Sequence, residues 1–389
     1  MRHILVLGTQ PDISNAEAAA QYPTLNLTRV QGVLLTEGAE RPTLSRLAGC
    51  IKIGEILFSC PTNELSAERI AAWVAEHPRG EGKLTFAVSF YGDRFSQSQR
   101  LPLELKRILR EQTQRSVRWF ADSDGQTSPA AIFKLGLIEE GYDFSIVVQK
   151  ETAHVAATIE VQNPDLWSKI DFERPRRNAK NGMIPPKLAE MLVHLAGSNR
   201  QALFDPFCGS GTILEAAARG GISTIYGSDN APMIIEDAKQ NLAWAQRENL
   251  VPSEADIHLA VADATKFVDL PDTCIDAIVT EGYLGQPLQG RESQDFLDNE
   301  QQDVRFLWEK SLAHWARILT PDGVIIAVWP EYKTARGEAR VDVPDALLRE
   351  LGLVRDTFPL ADGRSSSELI YAREDQFVRR RIVKLKKSA

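Results

Sequence analysis

The stretch F-D-P-F-C-G-S-G-T, from Phe204 to Thr212, decides the fold of this chain. It begins at the end of a short apolar run that is typical of a buried strand, and it leads into a helical pattern. Gly209 and Gly211 allow the tight turn and the close approach to a ligand that such a connection needs. Asp205 would repel a pyrophosphate, and neither a third glycine nor a G-K-[ST] sequence follows it. The stretch therefore predicts a site for a positively charged ligand and disfavours a dinucleotide-dependent oxidoreductase.

Two further acidic residues end the next two predicted strands. Asp229, which precedes Asn230, can accept hydrogen bonds from both hydroxyls of a ribose. Asp263, which precedes Ala264, can accept from an adenine amino group, although a helix cap is the alternative interpretation of such a residue. The carboxyl ends of parallel strands meet at one edge of a sheet, so these acids should lie near Asp205. Together they predict a pocket for S-adenosyl-L-methionine (SAM), whose ammonium and sulfonium groups suit the Asp205 carboxylate.

Regular alternation of strands and helices from Gln201 onward predicts parallel strands joined by right-handed crossovers. We therefore expect a Rossmann-type α/β domain at residues 187–389, preceded by a linker at 166–186 that is basic and rich in Pro, Asn and Gly. The strand-like and helical patterns of residues 1–165 predict a smaller α+β region. Its predicted strands are Ile4–Leu7, Val30–Leu35, Leu84–Phe90, Phe144–Val148 and Val155–Val161, and its clearest helices are Ala67–Glu76 and Leu103–Gln112.

The elements predicted in the second domain alternate along the chain. The strands are Ala202–Phe204, Thr224–Gly227, Ile257–Val261, Ile275–Thr280, Val324–Trp329 and Glu368–Tyr371, and the helices are Lys187–Ala196, Gly211–Arg219, Met233–Arg247, Val304–Leu319 and Pro344–Leu351.

Bulk composition predicts a soluble cytoplasmic protein. Hydrophobic residues make up 43% of the chain and charged residues 25%, as in ordinary globular proteins. The four cysteines, Cys50, Cys60, Cys208 and Cys274, are scattered and have no metal-ligand spacing, which fits a reducing compartment. No apolar stretch is long enough to span a bilayer, so no membrane partner is expected. The composition does not indicate an oligomeric state.

The distribution of charge is uneven. A net charge of −8 argues mildly against a nucleic-acid partner, because phosphate contacts need a basic face. Three local basic clusters nonetheless make a phosphate-binding surface plausible, although solvated helix faces or a frayed terminus would explain each one. The clusters are Arg100, Lys106, Arg107, Arg110, Arg115 and Arg118; then Arg174, Arg176, Arg177, Lys180 and Lys187; and finally Arg379, Arg380, Arg381, Lys384, Lys386 and Lys387.

Four motifs spread over most of the chain carry a family resemblance. They are D-P-F-C-G-S-G-T (Asp205 to Thr212), G-M-I-P-P-K-L-A (Gly182 to Ala189), S-P-A-A-I-F-K-L-G-L (Ser128 to Leu137) and the opening I-L-V-L-G (Ile4 to Gly8). With these motifs the chain resembles the THUMP-domain tRNA guanine-N2 methyltransferases. The resemblance implies a SAM-dependent methyltransferase domain, a THUMP-like RNA-binding region before it, and tRNA or another structured RNA as the partner. It implies SAM contacts from Asp205, Phe207, Gly209, Gly211, Thr212, Asp229, Asn230, Asp263 and Ala264.

The chain departs from that family at the tetrapeptide after the fourth strand. The family has Asp/Asn-Pro-Pro-Tyr, whereas this chain has Thr280-Glu281-Gly282-Tyr283. In the family chemistry, the acid and a proline carbonyl accept the two N–H bonds of an exocyclic amine, and the aromatic ring stacks on a flipped base. Counting back from Tyr283 puts Thr280 in the acid position. Counting forward from the strand puts Glu281 there instead.

Three hypotheses follow from this departure. The first is an amine methyltransferase in which Glu281 is the acceptor and Tyr283 the stacking platform; no metal is needed, because the sulfonium is already a good electrophile. The second is a methyltransferase with another substrate or target atom, including DNA. The third is a SAM- or RNA-binding protein without transfer activity, in which Glu281 caps a turn and Tyr283 packs in a loop. The loop from Leu284 to Asn299, which contains Gly285 and Gly290, is long enough to predict a substrate lid.

Overall fold

The computed structural model describes residues 1–122, 125–177, 183–266, 269–288, 292–334, 337–373 and 376–388. The chain forms two compact units. The first consists of Met1–Asn15 and Tyr22–Ser168, and the second of Ala16–Gln21 and Lys169–Ala389. None of the helices in the described ranges combines the length and the apolar character needed to cross a membrane.

An eight-stranded mixed sheet forms the centre of the first unit. Its strands are β1 (Arg2–Leu7), β2 (Asn26–Val30), β3 (Val33–Glu37), β4 (Cys50–Pro61), β5 (Leu84–Gly92), β6 (Val117–Phe120), β7 (Tyr142–Gln149) and β8 (Thr152–Val161). The helices of this part of the chain are α1 (Pro11–Gln21), α2 (Ala67–Glu76), α3 (Arg100–Thr113), α4 (Pro129–Lys134) and α5 (Pro164–Phe172). The strands lie in the order β2-β3-β1-β4-β8-β7-β5-β6. The combination of sheet and helices agrees with the α+β prediction.

The strands of this unit depart from the prediction in three places, the first of which is that β6 was missed. The predicted strand Val30–Leu35 is wrong, because the chain turns at Gly32 (φ +80°) and β2 and β3 form an antiparallel hairpin. Strand β4 was not predicted at all. Within it, Lys52 is buried and its Nζ lies 2.7 Å from Oδ2 of Asp143. A buried, ion-paired lysine interrupts the apolar pattern from which a strand is recognised.

The first residues of the predicted linker, 166–186, belong to α5. This helix buries Ile170, whose apolar side chain stabilises it locally. Gly182, the first residue of the G-M-I-P-P-K-L-A motif, and Lys180 lie outside the described residues.

A nine-stranded sheet forms the centre of the second unit. Its strands are β9 (Ala202–Asp205), β10 (Thr224–Asp229), β11 (Asp256–Val261), β12 (Ile275–Glu281), β13 (Leu319–Thr334), β14 (Gly337–Arg340) and β15 (Leu353–Asp356), then, after the separate pair β16 (Phe358–Pro359) and β17 (Ser365–Ser366), β18 (Glu368–Tyr371) and β19 (Val378–Lys387). The helices are α6 (Pro186–Leu195), α7 (Thr212–Arg219), α8 (Pro232–Arg247), α9 (Gln294–Ile318) and α10 (Asp345–Glu350).

The strand order confirms the predicted Rossmann-type α/β architecture. The sheet runs β11-β10-β9-β12-β13-β19-β15, with β14 beside β13 and β18 beside β19. Strands β9 to β13 pair in parallel along this order. The order reverses between β9 and β12, and ligands of such sheets bind beyond the carboxyl ends of the strands at this point.

The basic C-terminal segment is a strand of this sheet rather than a frayed tail. β19 pairs antiparallel with β13, β15 and β18, and it buries Ile382 and Leu385. Arg381 is buried as well, and its guanidinium lies within 3.1 Å of carboxylate oxygens of Asp342 and Glu368. Acidic neighbours therefore neutralise charges whose clustering had suggested a phosphate-binding surface. Because these charged residues interrupt the alternation of apolar residues, β19 was not predicted from the sequence.

Helix α9 begins ten residues earlier than the predicted helix Val304–Leu319, which shortens the predicted lid. The Ser293 side chain caps the helix by accepting a hydrogen bond from the Phe296 amide (3.2 Å). Strand β13 likewise begins at Leu319, before the start of the predicted strand Val324–Trp329. Gly290, in the middle of the predicted lid, lies outside the described residues.

Candidate active site

The loop between β9 and α7 turns sharply at the point where the strand order reverses. Gly209 (φ +51°) and Gly211 (φ +91°) both adopt the left-handed conformation that favours glycine. The Cys208 amide donates to the carbonyl of Ser228 on β10 (2.9 Å), which fixes the loop against the neighbouring strand. A Cβ atom on Gly211 would lie 3.5 Å from that of Ala238 in α8. That distance is ordinary van der Waals contact, so the left-handed backbone, and not a lack of space, is what favours glycine here.

Asp205, the last residue of β9, is buried beside this loop. Its Oδ1 accepts hydrogen bonds from the Thr280 hydroxyl (2.6 Å) and the Phe207 amide (3.2 Å). Its Oδ2 is buried and has no hydrogen-bond partner among the described residues. Burial raises the pKa of Asp205 to about 7, and the two hydrogen bonds only partly oppose that rise. A buried carboxylate oxygen without a donor is costly, so this atom is suited to a cationic ligand group.

The other two acidic residues at strand ends, Asp229 and Asp263, differ in how many hydrogen bonds they accept from their own loops. Asp229 is half-buried, and its Oδ1 accepts from the Ala231 amide (3.0 Å). Asp263 is held by the amide and hydroxyl of Thr265 (3.0 and 2.7 Å), and its Oδ2 lies 3.1 Å from Nζ of Lys266. Hydrogen bonds from Thr265 and Lys266 lower the pKa of Asp263 to about 2. These contacts close a turn after β11, and no helix directly follows Asp263 in the described residues, so it is not the helix cap of the alternative interpretation.

The remaining predicted cofactor residues fall into two groups. Thr212 and Ala264 are buried, and Ala264 belongs to the apolar core of the second unit. Asn230 is exposed, and Phe207 is half-buried with its ring centroid 5.9 Å from that of Trp315. Ala264 thus packs against the protein, whereas Asn230 and Phe207 keep surface that a ligand can contact.

Two residues whose role was not predicted from the sequence hold the loop between β9 and α7 in place by hydrogen bonds. Arg174 is buried and donates to the Thr212 hydroxyl (2.7 Å) and to Oε2 of Glu215 (3.0 Å). Asn241 of α8 donates to the carbonyls of Ser210 (2.9 Å) and Arg176 (3.0 Å). Arg174 and Arg176 came from the predicted linker and the second basic cluster. Arg174 is thus a support for the loop and does not belong to a phosphate-binding surface.

The first two residues of the tetrapeptide, Thr280 and Glu281, have different hydrogen-bond partners. Thr280 is fully buried, and its hydroxyl proton is donated to Asp205. Glu281 is the last residue of β12, and its carboxylate receives two hydrogen bonds from Arg380 of β19, Nε to Oε2 at 2.5 Å and Nη2 to Oε1 at 3.2 Å. Burial raises the pKa of Glu281, and the Arg380 charge opposes that rise. Thr280 thus faces Asp205, whereas Glu281 faces Arg380.

The two residues after Glu281 differ in how tightly they are packed. A Cβ atom on Gly282 would lie 2.7 Å from Cζ2 of the buried Trp308, so any larger residue requires a rearrangement there. Tyr283 is 48% exposed, and its ring is available to a ligand. The start of the predicted lid is fastened to the protein, because Oε2 of Glu300 accepts from the Gln286 amide (2.8 Å).

Comparisons with known proteins agree with this geometry. Residues 174–334 match the UPF0020 family model, described as RMKL-like, methyltransferase domain. This segment is a SAM-dependent methyltransferase domain. Two solved structures share the fold over the whole chain: TrmN from Thermus thermophilus (17% identity, TM-score 0.52, 100% of both chains) and a predicted N6-adenine-specific DNA methylase from Listeria monocytogenes (14% identity, TM-score 0.50, 100% of this chain and 96% of the other). No curated protein matches the sequence.

The residues of the methyltransferase domain fit SAM as its cofactor. The unpartnered Asp205 oxygen suits the ammonium group, and the left-handed glycines permit close approach of the ligand to the backbone. Asp229 keeps a carboxylate oxygen that its Asx turn to Ala231 does not use, as recognition of ribose hydroxyls requires. When bound, SAM supplies an electrophilic methyl group.

SAM affinity should depend on pH through Asp205. The free protein carries the proton on this carboxyl below about pH 7, and a neutral acid cannot pair with an ammonium group. Binding therefore favours the ionised form, so affinity falls as pH decreases below 7. Calorimetry should give a dissociation constant about tenfold larger at about pH 6 than at about pH 8. Methylthioadenosine, which lacks the amino-acid portion, is the control ligand; an equal dependence with that ligand would assign the effect elsewhere.

Proposed function

We propose that this protein transfers the SAM methyl group to an exocyclic base nitrogen, specifically guanine N2 of tRNA. The observation that carries the proposal is the position of Glu281 and Tyr283 at the carboxyl end of β12, next to the cofactor strand β9. An acceptor and an exposed aromatic ring at this edge are the two features that amine methylation of a flipped base needs.

The chain's own residues prepare the amine for in-line attack. Glu281 accepts one N–H bond of the amine, and the backbone carbonyl of Gly282 accepts the other in place of a proline carbonyl. Two such acceptors turn the nitrogen lone pair out of conjugation with the ring and towards the methyl group. The N–C bond forms as the C–S bond breaks, and the proton released by the amine passes to the Glu281 carboxylate or to water. Tyr283 stacks on the base and holds it in this orientation.

Features of the first unit support RNA as the partner. The S-P-A-A-I-F-K-L-G-L motif forms α4 and the turn after it, with Ser128 as the N-cap (Ala131 amide to Oγ, 3.4 Å). Phe133 is exposed on this helix, and Lys134 lies beside it. An exposed aromatic residue next to a cation is suited to an unpaired base and its phosphate. A cytoplasmic site of action is part of the proposal, since tRNA is modified there.

Labelled methyl transfer tests the proposal directly. The protein is incubated with methyl-labelled SAM and with bulk tRNA from cells that lack it, and nucleosides are then analysed by mass spectrometry. We expect label in N2-methylguanosine of tRNA. Label in N6-methyl-2′-deoxyadenosine of a parallel DNA sample would support a DNA substrate instead. SAM binding by calorimetry without label in either nucleic acid would support a binding protein without transfer activity.

A further inference from the structure

The C-terminal strand brings a cation to the candidate acceptor. Arg380 on β19 lies opposite Pro330 of β13, and Glu281 lies opposite Val328 of the same strand. The Arg380 side chain therefore reaches Glu281 past β13, and both side chains are about nine-tenths buried, 8% and 10% exposed. The contact is bidentate, with one guanidinium nitrogen on each carboxylate oxygen.

We propose that Arg380 is a positioning residue of the methyltransferase: it holds the Glu281 carboxylate in one orientation and in its ionised form for the substrate amine. This inference rests on the proposed function, because Glu281 is the amine acceptor there. A fork of two N–H donors uses one lone pair on each carboxylate oxygen and leaves the others for the substrate. Glutamate is one methylene longer than aspartate, so it needs this restraint more.

Charge gives a second reason for the arginine. Among the described residues, the ionisable groups that face Glu281 are Arg380 from β19 and the buried Asp205 from β9, whose own pKa Glu281 helps to raise. Without the guanidinium, burial and the Asp205 charge would both favour the protonated carboxyl. A protonated Glu281 has lost accepting capacity for an N–H bond.

The neighbouring arginines do not share this role. Arg379 pairs with Glu331 and Glu338, and Arg381 pairs with Asp342 and Glu368. Of these three consecutive arginines, Arg380 is the one whose pairing extends to the end of β12. Arg379→Gln is therefore a matched control: the same substitution, one residue away, on an ion pair outside the site.

Kinetics test the positioning role. With tRNA as substrate, kcat of Arg380→Gln should fall about 100-fold while KM stays within about twofold, because the acceptor is misplaced and substrate contacts remain. Arg380→Lys keeps the charge but loses the fork, so it should lose about tenfold. Arg379→Gln should retain wild-type rates. The acid side of the pH–rate profile should move to higher pH in Arg380→Gln. Wild-type kinetics in that variant would overturn the proposal. If Arg380→Gln does not fold, Arg380→Lys alone decides, and wild-type kinetics in it would overturn the bidentate role.

A measurement that needs no activity separates this inference from the proposed function. Carbon-13 NMR of glutamate carboxyls, with Glu281→Gln to assign the signal, gives the titration midpoint of Glu281. In Arg380→Gln, or in Arg380→Leu if the first variant is unstable, the midpoint should rise by at least about one pH unit. An unchanged midpoint would overturn the role of Arg380 even in an active enzyme. A raised midpoint in a protein that methylates no nucleic acid would instead reject the proposed function and leave the ion pair established.

Discussion

Glu281→Gln should lower kcat for tRNA methylation by about 100- to 1000-fold, with the SAM dissociation constant changed by less than about twofold. The amide keeps the shape of the side chain but removes the charge that accepts the amine N–H bond. It also turns a donor towards Arg380, which offers only donors. Single-turnover transfer of labelled methyl groups, together with calorimetry of SAM binding, measures the two quantities separately.

Glu331→Gln is the control for the Glu281 variant. Glu331 is another buried glutamate that pairs with arginines, Arg340 and Arg379, and it lies on the neighbouring strand β13. We expect its loss to affect thermal stability more than transfer. Full activity in Glu281→Gln would remove Glu281 from its proposed role. An equal loss of activity in both variants would indicate damage to the sheet instead.

Asp205→Asn should weaken SAM binding by about 100-fold. The substitution preserves volume, but the atom at the Oδ2 position loses its charge and can become a donor, which repels an ammonium group. The hydrogen bond from the Thr280 hydroxyl can survive on the remaining amide oxygen. Calorimetry at about pH 8, where the wild-type carboxyl is ionised, gives the cleanest comparison.

Asp256→Asn provides the matched control for Asp205. Asp256 begins β11, its side chain is exposed, and it lies at the opposite end of the parallel strands from the cofactor loop. Its loss should leave SAM affinity unchanged. A wild-type dissociation constant in Asp205→Asn would show that the buried carboxylate does not contact the cofactor.

The cofactor edge could be predicted from sequence because its signals are local. Gly209 and Gly211 are needed by the turn itself, and Asp205 and Asp229 end strands whose apolar runs are short and continuous. Parallel pairing then brings these positions to one edge without further information. The predicted fold was therefore confirmed even though β4, β6 and β19 were missed and α9 begins well before the predicted helix.

The supports of the site could not be predicted in the same way. Arg174 reaches Thr212, and Arg380 reaches Glu281, across long separations along the chain. In sequence both arginines belong to basic clusters, and a cluster does not indicate whether its charges face water or a buried carboxylate. The pairing depends on sheet order, above all on the insertion of β19 between β13 and β15. Strand β4 was missed for the same reason, because its residue Lys52 pairs with Asp143, which is distant in the sequence.

The position of β19 also bears on the order in which the protein can assemble during translation. Strands β13 and β15 are separated in the sheet by a strand that the ribosome makes after both of them. The cofactor loop and its neighbours β9 to β12 can therefore form while synthesis continues, but Glu281 must wait for Arg380. Until then the nascent chain exposes the β13 edge, to which another strand can add. A prematurely terminated chain would thus retain the cofactor loop, lack the restraint on its acceptor, and carry an open edge prone to aggregation.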